Sequence, residues 1–148
     1  MKLYEATRSD TYDLLSIEKK CFKAHQFTKT QFQYYLTRDT CIAFAIGNKD
    51  ACGYVLGIVD HRGKEKKALI YSLAVLPGYR NKGYATLLMQ QFENEALKRG
   101  CSKALLVVGK NNKKAFDLYI KSGYEVSSVR KDYYGKGQHG LNMFRILK

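Results

Sequence analysis

Residues 69 to 100 constrain the fold of this chain more than any other stretch. Residues 69 to 76 are an apolar run of a length that suits a buried strand, and Pro77-Gly78 ends it, because proline cannot donate to a sheet ladder. Ala85, Leu88, Met89, Phe92 and Ala96 then recur at helical spacing up to Gly100, a residue suited to stopping a helix. A strand, a tight loop and a helix therefore follow one another.

The connecting segment, Arg80-Asn81-Lys82-Gly83-Tyr84-Ala85-Thr86, lies where a helix exposes unpaired N–H groups and a partial positive charge, a combination that attracts anions. Gly83 lets a diphosphate come close, since it has no side chain and accepts unusual dihedrals. Ala85 is small, and Arg80 and Lys82 add formal charge. An ordinary turn with solvated basic residues fits the same letters. A Walker A loop does not, because its second glycine and its Lys-Ser/Thr ending are missing.

The rest of the chain supplies a sheet for this unit. Residues 2 to 7 alternate as an edge strand does, and Ser9-Asp10 offers N-cap chemistry ahead of an amphipathic helix carrying Leu14, Leu15, Ile17, Cys21 and Phe22. Thr28 and Gln31 match a capping box for a second helix through Phe32, Tyr35 and Leu36, with Phe27 placed as a staple against Phe32. Residues 41 to 46 and 52 to 59 are strand-like and joined by a turn-rich segment; with the central strand they make an antiparallel meander. Residues 103 to 108 read as a buried strand, returned parallel to the central one by the intervening helix. Asn111-Asn112 caps a further helix with Ala115, Phe116, Tyr119 and Ile120 on one face. Residues 124 to 129 and 141 to 147 then form a hairpin around a glycine-rich excursion that looks mobile.

A chain of 148 residues with 45% hydrophobic content fits one domain, 1 to 148, of α/β class with helices on both faces of a mixed sheet. No repeat, low-complexity tract or apolar run of about 18 residues interrupts it, and the first residues lack an apolar signal core, which points to the cytoplasm. Cys21, Cys41, Cys52 and Cys101 lack the paired short spacing of a zinc site, so they read as reduced thiols and no metal is expected. His25, His61 and His139 are scattered over loops and element ends and read as solvated. The 26 Lys and Arg against 13 Asp and Glu leave a net charge of +13, which favours encounter with nucleic acid, ribosomes or acidic peptides. Lys110, Lys113 and Lys114 begin the later helix and are placed to meet a phosphate or to be solvated.

Residues 75 to 85 resemble the signature of the GNAT acetyltransferase superfamily: Arg or Gln, two variable residues, Gly, one variable residue, then Gly or Ala. Arg80, Gly83 and Ala85 fill those positions, and the order of elements also fits. Within the superfamily the chain resembles the bacterial ribosomal-protein alanine N-acetyltransferases. The resemblance implies a GNAT-like fold, a sheet of about seven strands with a splayed parallel pair, and acetyl-coenzyme A as acetyl donor. It implies that residues 80 to 86 wrap the pyrophosphate and that backbone groups of Leu73, Ala74 and Val75 pair with the pantetheine. Asn112 would hydrogen-bond the cofactor, and Tyr119, in a segment similar to the family's Leu-Tyr helix ending, would be the general acid for the thiolate.

The acceptor side is less complete. The glutamate that serves as base in the resembling enzymes falls on Val107, which cannot accept a proton; Ser72, Tyr133, Tyr134 or a water chain are the alternatives, or an α-amine with a pKa near 8 needs little help from a base. Tyr133 and Tyr134 resemble a tyrosine pair that grips the acceptor backbone, and Phe27 lies where a substrate entrance is expected. The reading is transfer of an acetyl group to a primary amine, the α-amine of a protein or peptide N-terminus, by direct attack on the thioester, in a monomer or dimer. The alternatives are a small-molecule amine acetyltransferase, and a coenzyme-binding or RNA- or ribosome-binding module without catalysis.

Overall fold

The computed structural model describes residues 1 to 148. Seven strands form one sheet: β1 (Lys2–Glu5), β2 (Cys41–Gly47), β3 (Ala51–Asp60), β4 (Lys67–Val75), β5 (Lys103–Gly109), β6 (Glu125–Arg130) and β7 (Gly140–Ile146), in the spatial order β1-β2-β3-β4-β5-β7-β6. Only β4 and β5 run parallel; every other neighbouring pair is antiparallel. Four helices complete the fold: α1 (Thr11–Cys21), α2 (Lys29–Leu36), α3 (Tyr84–Lys98) and α4 (Lys113–Lys121). No helix is long and apolar enough to cross a membrane.

Alternation along the strands sorts side chains into two cores. Ile42, Phe44 and Ile46 of β2 lie in one core with Leu88, Met89 and Phe92 of α3 and Tyr119 of α4. Ala43 and Ala45 lie in the other, with Leu14 and Ile17 of α1 and Phe32 of α2. Small residues on that face let α1 and α2 sit close, and each enclosed Leu, Ile or Phe contributes about 1.5–3 kcal/mol of burial. On the opposite face α3 lies so near the sheet that a Cβ on Gly57 would stand 2.8 Å from the Phe92 ring. The same Cβ would collide with Leu69 O, so Gly57 makes room for the neighbouring strand as well as for the helix.

Local chemistry explains most boundaries. Thr28 N–H donates to Gln31 Oε1 at 2.9 Å and Gln31 N–H to Thr28 Oγ1 at 3.2 Å, so the capping box forms as expected. Ser9-Asp10 does not cap α1 with a side chain; Asp10 instead accepts the Thr7 N–H at 2.7 Å and closes a 3₁₀ turn, Arg8–Asp10, ahead of the helix. The last hairpin docks with its second strand inward: β7 pairs with β5 over seven positions, from Lys103↔Ile146 to Gly109↔Gly140, leaving β6 as the outer edge. The glycine-rich excursion between them is tied by its own hydrogen bonds. Gly135 N–H donates to Asp132 O, Gln138 N–H to Gly135 O and Tyr134 N–H to Gln138 O.

The pairing of β4 with β5 is brief. Lys67↔Lys103, Ala68↔Ala104 and Leu69↔Leu105 are its only partners, after which the strands part. Next to the parting, Tyr71 is an extra residue in β4: Ile70 pairs with Gly57 and Ser72 with Leu56, so Tyr71 has no β3 partner.

Candidate active site

A cavity of about 570 Å³ opens where β4 and β5 separate. Ile70 to Leu73 of β4 and Leu106 to Gly109 of β5 form its sides, with Lys110, Asn111, Asn112, Ala115 and Tyr119 at one end. Glu18 of α1, then Phe22, Ala24, His25 and Phe27 of the α1–α2 loop, line the other end together with Tyr134, Gln138 and His139 of the β6–β7 loop.

Beyond the gap lies the segment that leads into α3. Asn81 and Gly83 have φ of 62° and 83°, the left-handed region that glycine tolerates and that asparagine enters more readily than most residues. The first helical bond runs from Leu87 N–H to Gly83 O, so the N–H groups of residues 81 to 86 have no backbone or side-chain acceptor. A consecutive set of free donors at a helix start, with Arg80 and Lys82 beside them, fits the diphosphate of a coenzyme. Arg80 is also structural: its Nε donates to Val75 O at 2.8 Å.

Strand geometry separates the three expected pantetheine contacts. Leu76 N–H donates to Cys52 O, which by alternation turns the backbone of Ala74 toward β3 and that of Leu73 and Val75 toward the gap. Ala74 therefore does not present its backbone to a ligand there. Leu73 lines the cavity, whereas the Val75 carbonyl is already taken by Arg80. Asn112 caps α4, its Oδ1 accepting Ala115 N–H at 3.3 Å, and its amide nitrogen stays free to donate. Tyr119 is 9% exposed, its hydroxyl makes no hydrogen bond, and burial pushes its pKa up to about 12.

The acceptor end holds a group the sequence reading passed over. Glu18, 2% exposed, lines the cavity and accepts the Phe27 N–H at 2.8 Å, the Ser72 hydroxyl at 3.2 Å and the Tyr54 hydroxyl. Oε1 takes both hydroxyls and Oε2 takes the amide, which leaves Oε2 a lone pair. Burial and the neighbouring Glu18 carboxylate hold the Tyr54 phenol well above its ordinary pKa, so Tyr54 remains a donor. Ser72 has one proton to give, to the Tyr54 oxygen 2.6 Å away or to Glu18 Oε1 at 3.2 Å, so its hydroxyl is tied into the Glu18 cluster. The available signal was a carboxylate on the apolar face of α1, at helical spacing with Leu14, Ile17 and Cys21.

The remaining expectations divide. Phe27 both lines the cavity and packs edge-on against Phe32 with centroids 5.4 Å apart. Tyr134 lines the cavity and directs its hydroxyl at Val107 O, 3.5 Å away. Tyr133 is outside it, exposed, with the Arg130 guanidinium 5.2 Å from its ring. His25 and His139, expected as solvated, are wall residues: His25 stands 5.7 Å from the Tyr134 ring, and His139 Nδ1 accepts Asp132 N–H at 3.0 Å. Lys110 borders the cavity, while Lys113 faces Asp117 at 3.9 Å on the α4 surface. No group of three or more His, Cys, Asp or Glu side chains is placed to hold a metal ion.

Residues 8–124 match the model of the acetyltransferase (GNAT) family, a span that runs from the 3₁₀ turn before α1, through the segment leading into α3, to just past the end of α4. The chain belongs to the acetyltransferase (GNAT) family. It is 32% identical over 142 residues to the N-terminal acetyltransferase complex ARD1 subunit homolog of Dictyostelium discoideum, covering 92% of this chain and 70% of that protein. Other curated relatives are matched over about half of their length. The crystal structure of the ribosomal-protein-S18-alanine N-acetyltransferase from Escherichia coli superposes with a TM-score of 0.86 at 20% identity, covering 99% of this chain and 94% of that one. Arabidopsis thaliana NAA60 in complex with acetyl-CoA gives a TM-score of 0.86 at 16% identity over 98% and 97%. The free N–H groups before α3 lie where the diphosphate of a coenzyme would be held.

Proposed function

We propose that this chain transfers the acetyl group of acetyl-coenzyme A to the α-amine of a protein or peptide N-terminus. The observation that carries this reading is the buried Glu18 carboxylate inside a cavity continuous with the parting of β4 and β5. The family and the names of the N-terminal acetyltransferases similar to it support the same class of acceptor.

When bound, acetyl-coenzyme A supplies a thioester carbonyl open to attack by a neutral amine. An α-amine, with a pKa near 8, is mostly protonated at neutral pH. Glu18 accepts that proton on Oε2 and so does what Val107 cannot. Tyr119 holds its proton through neutral pH and stands at the far wall as the donor to the departing sulfur. The N–H groups of residues 81 to 86, with Arg80 and Lys82, hold the diphosphate; Leu73 and Asn112 orient the arm between them. Phe27 and Tyr134 flank the acceptor. Four free cysteines suit a reducing cytoplasm, where we place the reaction.

Release of thiol from acetyl-coenzyme A, measured with a panel of peptides, polyamines and aminoglycosides, tests the proposal. Acetylation confined to peptide α-amines is expected. Turnover of polyamines with none of any peptide overturns it.

A further inference from the structure

We propose that the acceptor carries acidic residues just after the acetylated amine, bound by Lys23, Lys131 and Lys136 at the cavity mouth. This rests on the N-terminal acetyltransferase reading and adds the charge of the acceptor to it.

Two loops bound the acceptor end. Phe22, Ala24, His25 and Phe27 come from the α1–α2 loop and its approach, and Tyr134, Gln138 and His139 from the β6–β7 loop. A chain whose amine reaches Glu18 leaves the cavity between them. Lys23 lies between two lining residues of the first loop, and Lys131 and Lys136 flank Tyr134 in the second. All three are exposed, and none takes part in an ion pair or a hydrogen bond.

Acid at the mouth does not balance the three lysines. The α1–α2 loop, residues 22 to 28, contains none. The other loop has one, Asp132, whose Oδ1 accepts the Gly137 N–H at 2.7 Å and stands 3.7 Å from His139 Nδ1, against Lys131 and Lys136. Charge therefore changes sign along the path, from negative at Glu18 to positive at the rim. A peptide with a cationic amine followed by carboxylates matches both. A nucleic acid presents phosphate to the rim but has no amine for Glu18, and a polyamine matches Glu18 but is repelled outside.

Three peptides that differ only at residues two to four, all aspartate, all serine or all lysine, decide the matter by kcat/KM for thiol release. One exposed pair is worth a few-fold, so two or three give an aspartate-to-serine ratio on the order of tenfold at low salt. That ratio is expected to collapse toward one as salt rises to about 1 M, where screening extends over only about 3 Å. Lys23→Glu combined with Lys131→Glu and Lys136→Glu is expected to invert the order of the aspartate and lysine peptides. Equal kcat/KM for the three peptides overturns this inference and leaves the acetyltransferase reading standing. No turnover of any peptide, with polyamines acetylated, overturns the reading itself. Equal turnover together with salt-sensitive binding of an RNA oligonucleotide, lost in the triple variant, assigns the rim to nucleic acid and also overturns the inference.

Discussion

Replacing Glu18 with glutamine separates the carboxylate's chemistry from its place in the fold. Its three donors are Phe27 N–H at 2.8 Å, the Ser72 hydroxyl at 3.2 Å and the Tyr54 hydroxyl. An amide keeps one oxygen, which must face Phe27, because a backbone N–H can only donate. Its NH₂ then meets two hydroxyls that can rotate to accept. Bonds to a charge, about 1.5–3 kcal/mol each, become neutral ones of about 0.5–1.5, while a buried charge no longer has to be desolvated. The opposing changes leave a net loss of about 1 kcal/mol, or a fall in Tm of about 2–4 °C for a chain of this size. Turnover, by contrast, is expected to drop about 10²–10⁴-fold, the range for loss of a positioned base. Glu18→Ala is expected to melt lower still, since it leaves the Phe27 N–H unpaired at about 1–3 kcal/mol while the Tyr54 hydroxyl keeps only Ser72 as a partner.

The assay is thiol release with a neutral peptide from about pH 6.5 to about pH 9.5, across the α-amine pKa near 8, beside a thermal melt. The deficit of Glu18→Gln should narrow above pH 8, where the amine loses its proton to solvent. A variant within about threefold of the parent at pH 7, or a deficit that stays constant across the range, refutes Glu18 as the proton acceptor.

Tyr119→Phe should lower turnover about 10²-fold while sparing coenzyme affinity, as calorimetry can check. Because the folded hydroxyl titrates near 12 against about 10 when unfolded, Tyr119 contributes stability below pH 10 that is lost as pH rises from about 10 to about 12; Tyr119→Phe should flatten that stretch of the stability profile in denaturant titrations. Gly83→Ala meets no atom within 4 Å, so its cost is the left-handed backbone alone, roughly 1–2 kcal/mol, and coenzyme A should bind about tenfold more weakly by calorimetry. Unchanged affinity would remove the residue 81–86 donors from the anion site. Coenzyme A binding should also weaken several-fold between about 50 mM and about 500 mM salt, and a flat dependence would discount Arg80 and Lys82.

What could be read from the letters was local. The strand, the Pro77-Gly78 stop and the glycine before α3 act through neighbouring residues, and all three appear where expected. The capping box at Thr28 is local for the same reason. The partners of Glu18 are not: Tyr54 and Ser72 lie 36 and 54 residues away, on strands that only the folded sheet brings against α1. The order of the last two strands was equally hidden, since a hairpin's turn does not say which of its strands meets β5. His25 is exposed as expected and His139 half-buried, but a loop position does not reveal that both reach the cavity wall. Their position follows from the meeting of those loops at the His25 and Tyr134 rings.

The three-residue contact between β4 and β5 makes the centre of this sheet its weakest seam. Donors and acceptors that would lock a continuous ladder face each other across a gap, so β1 to β4 and β5 to β7 are coupled mainly through the core shared with α3 and α4. A ligand lying in the gap would act as mortar between two half-sheets. Amide exchange in β4 and β5 beyond Leu69 and Leu105 should therefore slow on coenzyme binding, as two loosely joined halves become one cooperative unit.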